Sequence, residues 1–148
     1  IAETFGIRFR VDVERRIALG YWGRNAWAAR IAGGTSTTTR IARFPATIET
    51  YAEGGVVGID TADLYGGLQG RIATPLIQAR RLSLDVGGGA WAAAQRSFGF
   101  TTSRVDLGPS MRLRMLPYPF FAQVDYRVRT AGNALPGSGL ALTVAGEF

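Results

Sequence analysis

Apolar and polar residues alternate one by one along most of this chain. In residues 119–129, the even-numbered positions from Phe120 to Val128 are all apolar, whereas Gln123, Asp125 and Arg127 lie between them. A period of two places successive side chains on opposite faces of a β-strand. The pattern therefore predicts an all-β fold, and a chain of 148 residues fits a single domain, residues 1–148.

Eight segments carry this alternation, and residues that favour turns separate them. We predict strands at residues 5–14, 25–33, 46–56, 62–73, 82–95, 104–115, 119–129 and 140–148. Lengths of roughly 9–12 residues suit tilted strands that cross a bilayer. Turns are expected at residues 33–36, 96–103, 116–119 and 131–139, which are rich in Gly, Pro, Ser and Asn. Consecutive strands of this kind predict an up-and-down antiparallel arrangement.

The positions of the charged residues indicate which strand face is turned inward. The polar face of the predicted strands carries eight arginines and eight acidic residues, so its net charge is zero, although the whole chain has a net charge of +6. A neutral set of charges suits the narrow interior of an eight-stranded barrel, because an unpaired buried charge costs several kcal/mol. We therefore predict an antiparallel transmembrane β-barrel with apolar side chains outside.

Arginine and carboxylate side chains are expected to pair inside this barrel and to close it against solutes. The candidates are Arg8, Arg10, Asp12, Glu14, Glu49, Glu53, Arg71, Asp106, Arg112, Arg114, Asp125, Arg127 and Arg129. Aromatic residues are expected to form girdles at the two membrane interfaces. The candidates for the girdles are Trp22, Trp27, Tyr51, Tyr65, Trp91, Tyr118 and Tyr126, of which Tyr51 and Tyr65 alternatively fill the interior.

The last predicted strand ends on an aromatic residue after a series of alternating apolar ones. Leu140, Leu142, Val144 and Phe148 share one face, in a pattern similar to the C-terminal signal that the outer-membrane assembly machinery reads, although Gly146 is small. If Phe148 ends in the periplasm, an even number of strands places the N-terminus there as well. The segments near residues 15–24, 57–63, 96–103 and 130–138 are then external loops.

The chain contains no His and no Cys. His is the commonest general base and metal ligand, and Cys supplies thiolate nucleophiles and zinc ligands. Glu49 and Glu53 share a strand face, but at about 3.3 Å per residue they are roughly 13 Å apart, too far for a glycosidase pair. Asp60 and Asp63 fit a solvated turn better than a Ca²⁺ site. We predict no enzymatic activity, no cofactor and no metal.

All 17 basic residues are arginines. Codon usage in a G+C-rich genome explains this composition, and so does bidentate recognition of phosphate groups. Because many arginines alternate with acids along strands, nucleic acid is not expected as a partner. Outer-membrane lipids and lipopolysaccharide are the expected partners. The basic pairs that can meet either lipid phosphates or solvent are Arg15 with Arg16, Arg40 with Arg43, and Arg80 with Arg81.

Four segments resemble one known family. They read VDVERRIALG at residues 11–20, RNAW at 24–27, TIETYAE at 47–53 and DYRVRTAGNALPGSGLAL at 125–142. Together they are similar to the C-terminal domain of the phage-adsorption protein A family, over most of residues 9–148. The resemblance implies an outer-membrane barrel that acts as a phage receptor and is associated with surface-polysaccharide export. The tetratricopeptide repeats that precede this domain in the family are absent from this sequence.

Two alternative functions stay open beside this one. A soluble lipocalin-like barrel that binds a lipophilic ligand has the same alternation, but its apolar face, with Phe9 and Val11, points inward. A narrow transport pore needs an interior that ion pairs do not close. The favoured hypothesis is a non-enzymatic protein of the bacterial outer membrane. It is inserted by the barrel assembly machinery and acts as a membrane anchor or surface receptor, for phage or within a larger membrane complex.

Overall fold

The computed structural model describes residues 6–16, 26–58, 63–97, 99–115, 117–118, 120–135 and 137–146, and 89% of them lie in strands. The eight strands are β1 Gly6–Arg16, β2 Ala26–Ile41, β3 Phe44–Val57, β4 Asp63–Ala79, β5 Leu82–Ser97, β6 Phe100–Met115, β7 Phe120–Gly132 and β8 Gly139–Gly146. The predicted all-β fold with eight strands is thereby confirmed. Among the described residues, there is no helix long and apolar enough to cross a membrane.

The strands form one antiparallel sheet in the order β1 to β8, and each strand pairs with its neighbour in the chain. The predicted up-and-down topology is confirmed. Within the described residues no hydrogen-bonded ladder joins β8 back to β1, so the sheet has two edges and is not closed into a barrel.

The turn predicted at residues 33–36 is wrong, because β2 continues through these residues to Ile41. Gly33 lies opposite Phe9 of β1, and Gly34 lies opposite Tyr51 of β3, so both glycines take part in ladders. The threonines that follow favour an extended backbone because they are β-branched. The turn predicted at residues 96–103 is also too long, since β5 ends at Ser97 and β6 begins at Phe100.

The sheet is strongly curved, as contacts between strands that are not neighbours show. On a flat sheet, β3 and β6 would be about 14 Å apart, three times the usual spacing of ~4.8 Å. Nevertheless, Nη1 of Arg112 on β6 donates to Oε1 of Glu49 on β3 over 2.6 Å. Arg71 on β4 likewise reaches Ser110 on β6, with a 2.8 Å bond from Nε to Oγ. These side chains therefore occupy the concave face.

The convex face carries the apolar side chains, and it is exposed. Phe9 is 76% exposed, Leu68 63% and Leu107 50%. In contrast, several charged side chains on the concave face are buried, including those of Arg71, Arg112 and Asp125. Soluble proteins bury their large apolar residues and solvate their charges, so this sheet has the opposite polarity.

Three connections at one end of the sheet are short, and one of them has an unfavourable backbone conformation. Ala42 and Arg43 join β2 to β3 with φ values of 48° and 78°, the two positive φ values among the described non-glycine residues. Positive φ at both central residues is typical of the type I′ hairpin turn, which favours Asn-Gly. A side chain with a Cβ in this region costs about 1–2 kcal/mol.

We expect the double substitution Ala42→Asn/Arg43→Gly to raise the free energy of unfolding by about 1–2 kcal/mol, because Asn and Gly adopt positive φ readily. The midpoint of urea unfolding in detergent micelles measures this change. The control is Arg80→Asn/Arg81→Gly in the turn between β4 and β5, where neither residue has a positive φ. An equal gain in the control would contradict the conformational explanation.

Candidate functional site

The concave face is the candidate site, and it has two parts along the strand direction. Near the short turns it is filled by a network of charged and polar side chains, here called the plug. The opposite end, here called the long-loop end, is where residues 17–25, 58–62 and 133–138 connect the strands. There the concave face holds an open cavity, here called the cup. The plug consists of Glu49, Arg71, Asp85, Ser110, Arg112, Arg114, Gln123, Asp125 and Arg127.

Glu49 is the centre of the plug. Its Oε1 accepts a 2.6 Å bond from Arg112 and lies 3.6 Å from Arg114, while its Oε2 lies 3.4 Å from Arg71. These arginines come from β4 and β6, so one carboxylate on β3 connects three strands. Arg114 also contacts Asp85 of β5 at 3.2 Å. Because guanidinium groups are planar and donate several hydrogen bonds, each can hold two partners at once.

A second branch of the plug runs along β7. Nε of Arg112 donates to Oε1 of Gln123 over 2.8 Å, and the Gln123 amide donates to both oxygens of Asp125 over 2.9 and 3.1 Å. Asp125 has no exposed surface, and Arg127 donates to it over 3.2 Å. An isolated carboxylate at such a position would be costly, so these donors are what make its burial possible.

The plug contains four arginines, which are Arg71, Arg112, Arg114 and Arg127, and three acids, which are Glu49, Asp85 and Asp125. One positive charge is therefore left over. Two aromatic rings lie against its guanidinium groups: Arg112 is 4.5 Å from the centroid of Phe121, and Arg127 is 4.5 Å from that of Trp91. The negative face of an aromatic ring attracts a cation, and the attraction is stronger where water is excluded.

The cup is a cavity of about 560 Å³ above the plug. Its floor is Trp91, which is 8% exposed, and its walls include Tyr51, Glu53, Gln69 and Arg104. Charged groups in the walls are also paired, since Arg30 lies 3.4 Å from Glu53 and Arg104 forms an ion pair with Asp106. The cup therefore offers both an aromatic surface and hydrogen-bonding groups to solvent.

Trp91 occupies its position because two residues earlier in β5 there is no side chain. A Cβ added at Gly89 would lie 2.5 Å from two carbon atoms of the indole ring. The ring thus lies over Gly89 on one side and against Arg127 on the other. Glycine within a strand often marks such a close approach.

The loop between β7 and β8 is tied to the rim of the cup. Arg104 donates to the carbonyl of Gly137 over 3.0 Å, and Arg129 donates to that of Ala134 over 2.6 Å. Asn133 adds two bonds to the start of β6: its Oδ1 accepts from the amide of Ser103, and its Nδ2 donates to the carbonyl of Thr101. Asn133, Ala134 and Gly137 of this loop are therefore held by hydrogen bonds to the rim and the concave face.

Most of the predicted interior residues with described side chains lie in these networks. The plug contains Glu49, Arg71, Arg112, Arg114, Asp125 and Arg127, and the walls of the cup contain Glu53 and Asp106. Arg129 instead bonds to a loop carbonyl. Arg8 lies on the edge strand β1 and is exposed. The side chains of Arg10, Asp12 and Glu14 lie outside the described residues.

The prediction of ion pairs omitted five residues that take part in them or bridge them, namely Arg30, Asp85, Arg104, Ser110 and Gln123. The same period of two places all five on the polar face, so the signal was available. Trp91 was predicted in a girdle, which is wrong, because the odd-numbered positions of β5 face inward. Trp27, Tyr118 and Tyr126 are exposed, while Tyr51 lies in the cup wall.

Of the predicted assembly signal, Leu140, Leu142 and Val144 are exposed on the convex face of β8, while Phe148 lies outside the described residues. Trp22 and Asp60 also lie outside them. Within the described residues, no group of three or more acidic residues is placed to hold a metal ion.

Comparisons with family models, with curated proteins and with solved structures found no match to this chain.

We expect Glu49→Gln to lower the free energy of unfolding by about 3 kcal/mol, because the substitution leaves three partly buried arginines without their shared anion. Urea unfolding in detergent micelles measures the loss. The matched control is Glu53→Gln in the cup, whose contact with Arg30 is longer, at 3.4 Å, and whose loss should cost under about 1 kcal/mol. Equal losses for the two variants would contradict a central role for Glu49.

We expect Gly89→Ala to cost about 1–3 kcal/mol, because the new methyl group overlaps the Trp91 ring and Arg127 prevents the ring from moving away. The emission maximum of tryptophan fluorescence should shift as well. Gly70→Ala is the control, since a Cβ at Gly70 has no neighbouring atom within 4 Å. Indistinguishable stabilities and spectra for both variants would show that Trp91 is free to relocate.

Proposed function

We propose that this chain is an outer-membrane β-barrel that anchors a surface receptor or a larger assembly in the lipid and does not conduct solutes. The observation that carries the proposal is the inverted polarity of the sheet. Large apolar side chains cover the convex face, whereas Arg71, Arg112 and Asp125 are buried on the concave one. Lipid is the surrounding that makes this distribution favourable.

The height of the apolar surface supports insertion into a bilayer. On β6, the outward residues from Val105 to Met115 are Val, Leu, Pro, Met, Leu and Met. Ten residue steps of about 3.3 Å, in a strand tilted by about 40°, cover roughly 25 Å of membrane thickness. That is the height of the apolar band of outer-membrane barrels. Exposed aromatic residues lie near both ends of the sheet, for example Phe44 at the short turns and Trp27 at the long loops.

The two alternatives receive less support. A soluble barrel with a lipophilic ligand requires Phe9 and Val11 to point inward, and both are more than 70% exposed. A transport pore requires a continuous passage, and the plug connects β3 to β7 across the concave face near the short turns. Solutes that enter the cup would meet this network of paired charges.

The long-loop end provides the receptor surface in this proposal. The cup opens there, and the loop between β7 and β8 is held beside it by Arg104 and Arg129. Binding surfaces are often loops that a rigid scaffold positions. A phage protein or a component of a surface-polysaccharide assembly, as the family resemblance implies, would contact this end. Lipopolysaccharide phosphates would meet the arginines near it.

Membrane insertion is tested by placing one charge in the middle of the convex face. Met111→Arg, near the centre of the apolar band of β6, should destabilise the lipid-inserted protein by about 2–4 kcal/mol, whereas Ile41→Arg, at the end of β2, should cost at most about 1 kcal/mol. Urea unfolding in lipid vesicles measures both. If the convex face met water instead of lipid, the expectation would be reversed, because Met111→Arg would replace an exposed apolar group and raise solubility without detergent.

Two further measurements complete this test. The unaltered protein should float with lipid vesicles in a density gradient, and its migration on a gel should change on heating. A monodisperse monomer in buffer without detergent would refute membrane insertion. A steady ion current across planar bilayers would favour the pore instead of the plugged anchor.

A further inference from the structure

Apolar residues on the two edge strands are more exposed than most of those on the inner strands. Phe9, Val11 and Val13 of β1 are 70–76% exposed, as are Leu140, Leu142 and Val144 of β8, whereas Val124 and Leu113 on inner strands are 39% and 36% exposed. An edge strand has no neighbour on one side, so its backbone N–H and C=O groups there also lack strand partners. In hydrocarbon, each unsatisfied group costs several kcal/mol.

The registers of the seven ladders determine how far β8 is displaced along the strand direction relative to β1. A row across the sheet leads from Gly6 of β1 through its successive partners Ser36, Glu49, Arg71, Gly89 and Gly108. In the β6–β7 ladder, the pairs before and after Gly108 place this residue opposite Arg127. Arg127 in turn pairs with Gly139 of β8. The row therefore begins at the short-turn end of β1 and arrives at the long-loop end of β8.

We propose that β1 and β8 pair with each other in the membrane, antiparallel, with Gly139 opposite Arg16. This inference rests on the proposed membrane insertion, which makes open edges costly. The row that starts at Gly6 of β1 ends on Gly139, which would then meet β1 again at Arg16. The row thus returns to β1 ten residues further along the strand, and this displacement is here called the stagger of the barrel. Val11 then lies opposite Val144, and Asp12 lies opposite Thr143.

Strand ends and strand tilt both favour a stagger of ten. All eight residues of β8 then pair within β1, and the first residue of β8 meets the last residue of β1. With a rise of about 3.3 Å per residue and a strand spacing of about 4.8 Å, ten residues over eight strands correspond to a tilt of about 41°. Membrane barrels have tilts of about 35–45°.

The neighbouring staggers fit less well. Odd staggers bring the apolar face of one strand against the polar face of the other. A stagger of eight leaves the last two residues of β1 without partners in β8, and a stagger of twelve places the first two residues of β8 beyond the end of β1.

Pairs of cysteines test this register directly, because the natural chain has none. We expect a disulfide within one molecule for Val11→Cys with Val144→Cys or for Asp12→Cys with Thr143→Cys. Directly opposite pairs alternate between two Cα separations, about 4.5 and 5.5 Å, and these two designs sample both. Oxidation of the vesicle-bound protein, followed by gels with and without reductant, detects the bond.

Competing staggers and the known ladder supply the controls. Val11→Cys with Leu142→Cys represents a stagger of eight, and Val11→Cys with Gly146→Cys represents twelve. Residues two positions out of register are about 7–8 Å apart, beyond the Cα range of a disulfide. Val124→Cys with Leu142→Cys is the positive control, since these residues are partners in the β7–β8 ladder. Each single-cysteine variant reports cross-linking between molecules.

Each outcome supports or overturns the proposal. Disulfides that form only in the two pairs designed for a stagger of ten support the proposal. Preferential bonding in the pair designed for a stagger of eight or twelve would replace it with that stagger. Dimers formed by single-cysteine variants would show that the edges meet a second copy. A bond in the positive control but in none of the seam pairs would show an open seam. Failure of membrane insertion is seen separately, because the protein would then not float with vesicles.

Discussion

Three guanidinium groups share one carboxylate on the concave face, and the curvature of the sheet is coupled to that contact. Glu49 lies on β3, whereas Arg112 and Arg114 lie three strands away on β6. The sheet must curl for these groups to meet, and the desolvated charges are stable only while it does. Backbone curvature and charge pairing therefore stabilise each other, and loss of either should weaken both.

The polarity of the two faces follows from the same contact. A strand that directs Arg, Asp and Gln inward must direct the intervening residues outward, because successive side chains alternate. The outward residues of β6, for example, are apolar from Val105 to Met115. The hydrophobic effect does not hold this sheet together as it does in a soluble barrel, since its apolar surface is outside. The interior polar network and the ladders take that role.

Sequence periodicity predicted the strands, their order and most of the interior network, because period two is a local property that no distant contact can change. The extent of β2 could not be predicted in the same way. Gly33 and Gly34 look like a turn locally, and only their pairing with Phe9 and Tyr51 keeps them extended. The inward position of Trp91 follows from parity, but its place over Gly89 depends on packing between side chains that the pattern does not encode.

The loop between β7 and β8 takes its shape from inside the sheet. Arg104 holds the carbonyl of Gly137 while it pairs with Asp106, and Arg129 holds the carbonyl of Ala134. A substitution at Asp106 would therefore alter the outline of a surface loop without changing any residue in it. For a binder that recognises this loop by shape, escape variants need not map to the contact surface. They can arise at positions that the binder never touches.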